Sequence, residues 1–258
     1  MAKQRNLSNK NQVLFIFHNL GEQIIINQLN MKKIFFLMLF VASNLILAQN
    51  IVFEQVALKV KPGSAGQVLD LVDGFYSEID KPEGVYITLY AINFKADDIP
   101  ATHFLTFSGS VEGLAKLREL RSGDKYLLYN SSMLRHSEIT SISAGATIMR
   151  MNVDKARQPI AQIWRWRVED PAAFGDEFTA LIKSFPQLGY LSLGQFTHGT
   201  SSKGESHYAF TTHENYAAAL SWGPKTQSQQ QAFLKFQKAT SKYSNFLGSA
   251  TMSNIKTW

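Results

Sequence analysis

The sequence predicts an α+β protein made of two copies of one β-α-β-β-α-β unit, and three observations carry that reading. The stretch Val85–Phe107 returns, altered, as Gly189–Phe210, with Tyr86 matched by Tyr190 and His103 by His207 at one common offset. The same offset relates Ala146-Thr147 to Ala250-Thr251 near the end of each copy. Within each copy the apolar residues alternate between period two and a spacing of three and four, in the same order.

In the first copy, Val56, Leu58 and Val60 alternate with Ala57, Lys59 and Lys61, which is the signature of a half-buried strand over Ile51–Val60. Pro62-Gly63 ends it. From Ser64 to about Ile79 the residues Val68, Leu69, Leu71, Val72, Phe75 and Tyr76 take helical spacing. Pro82 and Gly84 break that helix before a strand over Val85–Phe94, and a loop with Asp97, Asp98 and Pro100 leads to a strand over Thr102–Phe107. Ser108 or Ser110 caps a helix whose stripe is Val111, Leu114, Leu117 and Leu120. Tyr126–Ile142 reads as further helical or irregular material, and Ala146–Met151 as the closing strand.

The second copy follows suit. Ile160–Val168 is a strand, and Asp170-Pro171 opens a helix through Phe174, Phe178, Leu181 and Ile182, with proline where a missing N–H costs little. Pro186 and Gly189 break it before the paired strands. A helix from Glu214 carries Tyr216–Leu220, a second covers about Gln230–Tyr243, and Ala250–Trp258 closes the sheet. The resulting organisation is a first ferredoxin-like repeat over 51–151, a linker over 152–159 and a second repeat over 160–258.

The residues before the repeats read differently. Met31-Lys32-Lys33, the apolar run Ile34–Ala42 and the ending Leu47-Ala48-Gln49 have the form of a secretory signal peptide over 31–48, too short for a bilayer span. Residues 1–30 read as a spurious or unstructured extension, with translation starting at Met31. An exported protein, periplasmic or secreted, with no stable membrane anchor after cleavage is the expectation. Of 26 basic and 20 acidic side chains, five and one lie in the first 48 residues, so the repeats carry 21 and 19. That near balance gives no phosphate-tracking surface, so nucleic acid is not an expected partner. The absence of cysteine removes disulfides, thiolate nucleophiles and Cys-ligated metals.

A four-stranded antiparallel sheet with helices on one face leaves its other face bare, and a second such sheet covers it. The doubled pattern over Ile51–Trp258 resembles the dimeric α+β barrel superfamily, which includes antibiotic-biosynthesis-monooxygenase-like, EthD-like and stress-responsive barrel proteins. The resemblance implies two facing repeats fused on one chain about a pseudo-twofold axis, with a ligand-sized interior. It carries no catalytic motif with it. The long segment between the third and fourth strands of each repeat is like the two-helix insertions of some members. Because each half covers the other, a monomer is expected, although closure is expected to leave some edge strands free to pair between molecules.

Sorting the strands by alternation gives the candidate site. Val85, Ile87, Leu89, Leu191 and Leu193 form an aliphatic face for the helices. The opposite face offers Tyr86, Thr88 and Tyr90 in one half, and Tyr190, Ser192, Gly194, Phe196 and His198 in the other. Lys59, Arg165 and Arg167 are its candidate cations. Such an interior suits a small aromatic or anionic ligand, bound by a carrier or by a cofactor-free enzyme. Tyrosines on an inter-sheet face also serve as ordinary core, so a filled barrel acting as a structural or interaction module is the alternative.

His103 and His207 stand at equivalent positions, on the helix-covered side by alternation, and Trp164 and Trp166 read as core beneath a helix. Two histidines make no metal site without a third ligand, and none is spaced nearby. His198 and His213 flank one hairpin. No G-x-S-x-G elbow, Rossmann loop or P-loop occurs. No cofactor is called for by the residues; the resemblance leaves a histidine-ligated haem as a weaker alternative.

Overall fold

The computed structural model describes residues 51–185 and 189–258. The extension, the signal segment and Pro186 lie outside the described residues. Strand β1 (Val52–Val60) is followed by helix α1 (Ala65–Tyr76), β2 (Tyr86–Lys95), β3 (His103–Gly109), helices α2 (Val111–Leu120) and α3 (Gly123–His136), and β4 (Ser137–Met151). The order repeats as β5 (Ile160–Val168), α4 (Pro171–Ile182), β6 (Leu191–His198), β7 (His207–His213), α5 (Tyr216–Leu220), α6 (Gln227–Thr240) and β8 (Ser244–Thr257). The paired helices after β3 and β7 are the two-helix insertions expected from the sequence.

The helix ends follow from local chemistry. Ser110, not Ser108, caps α2, its side chain accepting from the Gly113 N–H. Asp170 accepts from the Ala173 N–H, with Pro171 in the first turn of α4. Thr226 and Gln229 form a reciprocal capping box that starts α6 earlier than the apolar spacing alone suggests.

All strand pairings are antiparallel and run β1-β3-β2-β8-β5-β7-β6-β4, closing through β4 onto β1. Two long strands make the closure. One end of β4 pairs with β1 and the other with β6, while β8 pairs with β5 and then with β2. Each repeat therefore donates its last strand to the other. Among the described residues the ring leaves no edge strand, against the expectation that some edges stay free, because every strand has hydrogen-bonded neighbours on both sides. Arg165 and Arg167 accordingly lie on an internal strand.

The start of β4 corrects the reading of Tyr126–Ile142: α3 ends at His136 and the strand begins at Ser137. The misreading has a physical cause. Ala57 faces Ser141 but Leu58 faces Ile139, so a bulge takes up Thr140 and gives Ile139 and Ile142 a helical interval within a strand. In β8 the ladder likewise passes from Gly248 opposite Arg165 to Phe246 opposite Trp166, so that strand begins at Ser244 rather than Ala250.

Alternation sorts the side chains into three cores. Outside the sheet, α1, α2 and α3 cover Leu58, Val60, Ile87, Leu89, Leu105 and Phe107. On the second half, Phe174 and Phe178 of α4 and Phe236 of α6 cover Leu191, Leu193 and Ala209. Trp164 and Trp166 pack in that second layer, as their spacing predicts. Inside the barrel, Ala57, Phe104, Ala161, Ile163, Tyr208 and Ala250 meet. Because β1, β2, β5 and β6 run in one direction, the hairpin loops β2–β3 and β6–β7 lie at one end of the barrel and the linker after β4 lies at the other.

His103 and His207 fall on the helix-covered side. His207 is 2% exposed, Gln195 Nε2 donates to its Nε2 at 2.9 Å, and its Nδ1 lies 3.0 Å from Ser206 Oγ. Desolvation lowers its pKa to about 4. The histidine is thus held neutral, and stability that depends on this is present above the ordinary value of 6.5 and lost as pH falls towards 4. Denaturant unfolding from neutral pH to about pH 4 is expected to show a loss of up to roughly 3 kcal/mol from this residue. The variant His207→Gln should flatten that part of the profile; an unchanged acid slope would refute the assignment.

Candidate ligand site in the barrel

The interior is not filled along its whole length. At the end where β1, β2, β5 and β6 begin, a cavity of about 210 Å³ remains. A single buried water needs only roughly 10–15 Å³ on this measure. Tyr86, Thr88 and Tyr90 of β2 and Tyr190 and Ser192 at the start of β6 all line it, on the face that alternation assigns to them. Phe53 and Gln55 of β1, Thr106 and Ser108 of β3, and Tyr208 and Phe210 of β7 complete the walls.

The rings are set edge to face. Phe53 meets Tyr208 at 5.3 Å and Phe196 at 5.9 Å, and Phe210 meets Tyr90 at 6.4 Å and Tyr190 at 6.1 Å. Room for the Tyr208 ring comes from Gly194, directly opposite in the ladder, where a Cβ would stand 2.3 Å from the phenol oxygen. Burial raises the Tyr90 pKa to about 12, and pushes Tyr190 and Tyr208 upward as well. These phenols stay protonated near neutral pH and are donors towards whatever enters.

The cations are not those the alternation suggested. Arg165 points inward but sits at the opposite end, where its Nη2 contacts both carboxylate oxygens of Asp98 at 3.1 Å, and Lys203 approaches the same carboxylate at 3.5 Å. The β2–β3 loop that brings Asp98 also inserts Ile99 and Ala101 into the interior core, so this end is plugged. Lys59 and Arg167 are exposed at strand ends. His198 is exposed at the end of β6, with Thr197 Oγ1 at 2.9 Å from its Nδ1, and does not reach the cavity.

Instead Arg150 of β4 and Arg157 of the linker line the mouth. The Arg157 guanidinium lies 4.0 Å from the Tyr86 ring centre, and Lys81 approaches the same ring at 5.7 Å. Arg150 escapes face-sorting because β4 shifts register between Thr147 and Met149, which puts Thr147 and Arg150 on one side. Arg157 lies outside any strand, where alternation says nothing. Asn152, in a left-handed conformation at φ 51°, turns the chain into the linker and donates from Nδ2 to the Gly189 carbonyl, which ties the linker to the start of β6.

Among the described residues the cavity wall contains no aspartate, glutamate or histidine. Acid–base work would fall to phenols whose pKa values are raised, and these are poor bases near neutral pH. The same wall does not fit a histidine-ligated haem, since His103 and His207 are on the far side of the sheet and both His207 ring nitrogens are engaged. Among the described residues no group of three His, Cys, Asp or Glu side chains is placed to hold a metal ion.

An anthrone oxidase-like protein superposes with a TM-score of 0.52 at 11% identity, over 81% of this chain and 93% of that one. This is the dimeric α+β barrel fold. A candidate monooxygenase from Lactobacillus acidophilus NCFM gives a TM-score of 0.52 at 12% identity, over 81% and 96% of the two chains. A candidate monooxygenase from Fusobacterium nucleatum gives 0.50 at 8%, over 81% and 93%. At these identities the likeness is one of fold. No protein-family model and no curated protein matches the chain. In this α+β barrel both halves lie on a single chain.

Proposed function

We propose that the protein is an exported small-molecule-binding barrel whose ligand is a small aromatic anion. The observation that carries this is the open cavity with phenols in its wall and two arginines at its mouth. Aromatic edges and faces suit a flat ring, hydroxyls and raised-pKa phenols offer donors, and Arg150 and Arg157 favour a negative group at the entrance. A cavity of this size speaks against the filled-barrel alternative. The lack of a carboxylate or imidazole among the described residues of the wall favours binding over cofactor-free acid–base catalysis.

Calorimetric titration with benzoate, salicylate and phenylacetate tests the reading. At least one is expected to bind, with Tyr86→Phe and Tyr190→Phe each weakening it about tenfold through a lost hydrogen bond and leaving thermal stability nearly unchanged. Arg157→Gln should weaken the acids and spare benzamide. Failure of all three acids to bind, or binding indifferent to the tyrosines, would count against it. Export rests on the charged and apolar pattern of 31–48; the mass of the mature protein recovered from a periplasmic or culture fraction checks it, and an intact leader there would oppose it.

A further inference from the structure

A second space lies on the outer side of the first half, between the sheet and helices α2 and α3, with a volume of about 300 Å³. Its floor is apolar, formed by Val56, Leu58, Leu105 and Phe107. Its mouth carries Leu134, Ile139 and Ile142, which are 57%, 42% and 57% exposed. Its far end is cationic. Arg121 is only 8% exposed at its side chain and lies 4.5 Å over the Phe107 ring. Arg121 Nη2 donates to Glu54 Oε2 at 2.8 Å, while its buried Nε has no hydrogen-bond partner. The more exposed Arg118 reaches the same carboxylate oxygen at 3.5 Å, so two guanidinium groups share one carboxylate.

In the second half, tryptophans occupy the positions that form this floor. His103 pairs with Leu58 and His207 with Trp166, so Trp164 and Trp166 stand in register where the first half has Val56 and Leu58. Trp164 meets Trp222 in a tilted contact at 4.7 Å, and Trp166 packs between Phe174 and Phe246. Leu105 and Phe107 against Ala209 and Thr211 return only part of that volume to the first half. Glu54 brings one negative charge to the two guanidinium groups at this end, so a second anion would complete the balance there.

We propose that this space is a binding site for a single-chain amphiphile with a carboxylate head, the chain lying on Val56 and Leu58 and the head at Arg121 and Arg118. The excess of cation over anion selects the acidic head, and the exposed leucine and isoleucines at the entrance are covered by the tail. The site is separated from the barrel cavity by the sheet and does not depend on what that cavity binds.

Titration of the mature protein with hexanoate, octanoate, decanoate and decanol tests it. Affinity is expected to rise about fourfold with each added methylene, and decanoate to bind at least about tenfold tighter than decanol. Val56→Trp should abolish binding by filling the floor. Because that change can also disturb packing, Ile142→Glu at the exposed mouth serves as the second variant, with an expected loss of about tenfold or more. Arg121→Gln should remove the preference for decanoate over decanol. Tyr86→Phe and Tyr190→Phe should leave decanoate binding unchanged, which separates this site from the barrel. No binding of decanoate, equal binding of decanol, insensitivity to both Val56→Trp and Ile142→Glu, or loss in the barrel variants would each overturn the proposal.

Discussion

Two polypeptides ending and beginning within Asn152–Pro159 are expected to be insoluble when made separately and to recover a folded protein only when combined one to one. The reason is the way the ring closes. Beyond Ala146 the ladder of β4 has no partner strand within its own repeat, since Thr147–Met151 pairs with Gly194–Leu191 of β6. The end of β8 pairs with β2 in the same way. A lone half would expose two unpaired strand edges together with Phe53, Tyr90 and Phe104, or Phe196, Tyr208 and Phe210, which now meet in the interior core. Within one chain those needs are already met, so we propose a monomer. Sedimentation of the intact protein checks the monomer, and co-expression followed by size-exclusion chromatography checks the halves. Halves that fold alone and ignore each other would contradict the closed ring.

What the sequence made legible was whatever obeyed a strict period. The faces of β2 and β6 alternate without interruption through Thr88 and Ser192, and the residues assigned to the interior there, Tyr86, Thr88, Tyr90, Tyr190 and Ser192, do line the cavity. Alternation likewise placed His103 and His207 on the helix side. Periodicity failed wherever a ladder shifted register. The bulge after Ala57 made the start of β4 look helical, and the shift between Thr147 and Met149 hid Arg150. Arg165 was put on the correct face and at the wrong end, because no local pattern shows that the loop carrying Asp98 folds back to meet it. Arg157 was invisible because its position is set by Asn152 holding the linker to Gly189, a contact between residues remote in sequence. The second pocket was hidden for a related reason: it reflects the small side chains at Val56 and Leu58, apparent only once their counterparts in the second repeat are known to be Trp164 and Trp166.

Gly145→Ala is expected to be strongly destabilising. Gly145 lies in β4 between Phe53 of β1 and Phe196 of β6, on the seam that joins the two halves. A Cβ there would stand 2.2 Å from the Gln195 carbonyl oxygen and 2.6 Å from the Phe53 ring. The ring could swing aside at the cost of its contacts with Tyr208 and Phe196, but the carbonyl belongs to the neighbouring strand. Relief therefore needs the β4–β6 ladder to move, and a loss of about 3 kcal/mol, the upper end of ordinary overpacking, is expected in urea unfolding. Gly74→Ala gives the contrast: in α1 nothing lies within 4 Å of the added carbon, and replacing a helical glycine should stabilise by roughly 0.5–1 kcal/mol. Since Phe53 also walls the cavity, ligand affinity of any folded Gly145→Ala protein should fall with its stability, whereas Gly74→Ala should bind as the parent does. A Gly145→Ala protein as stable as the parent would mean that the two halves do not meet along this seam.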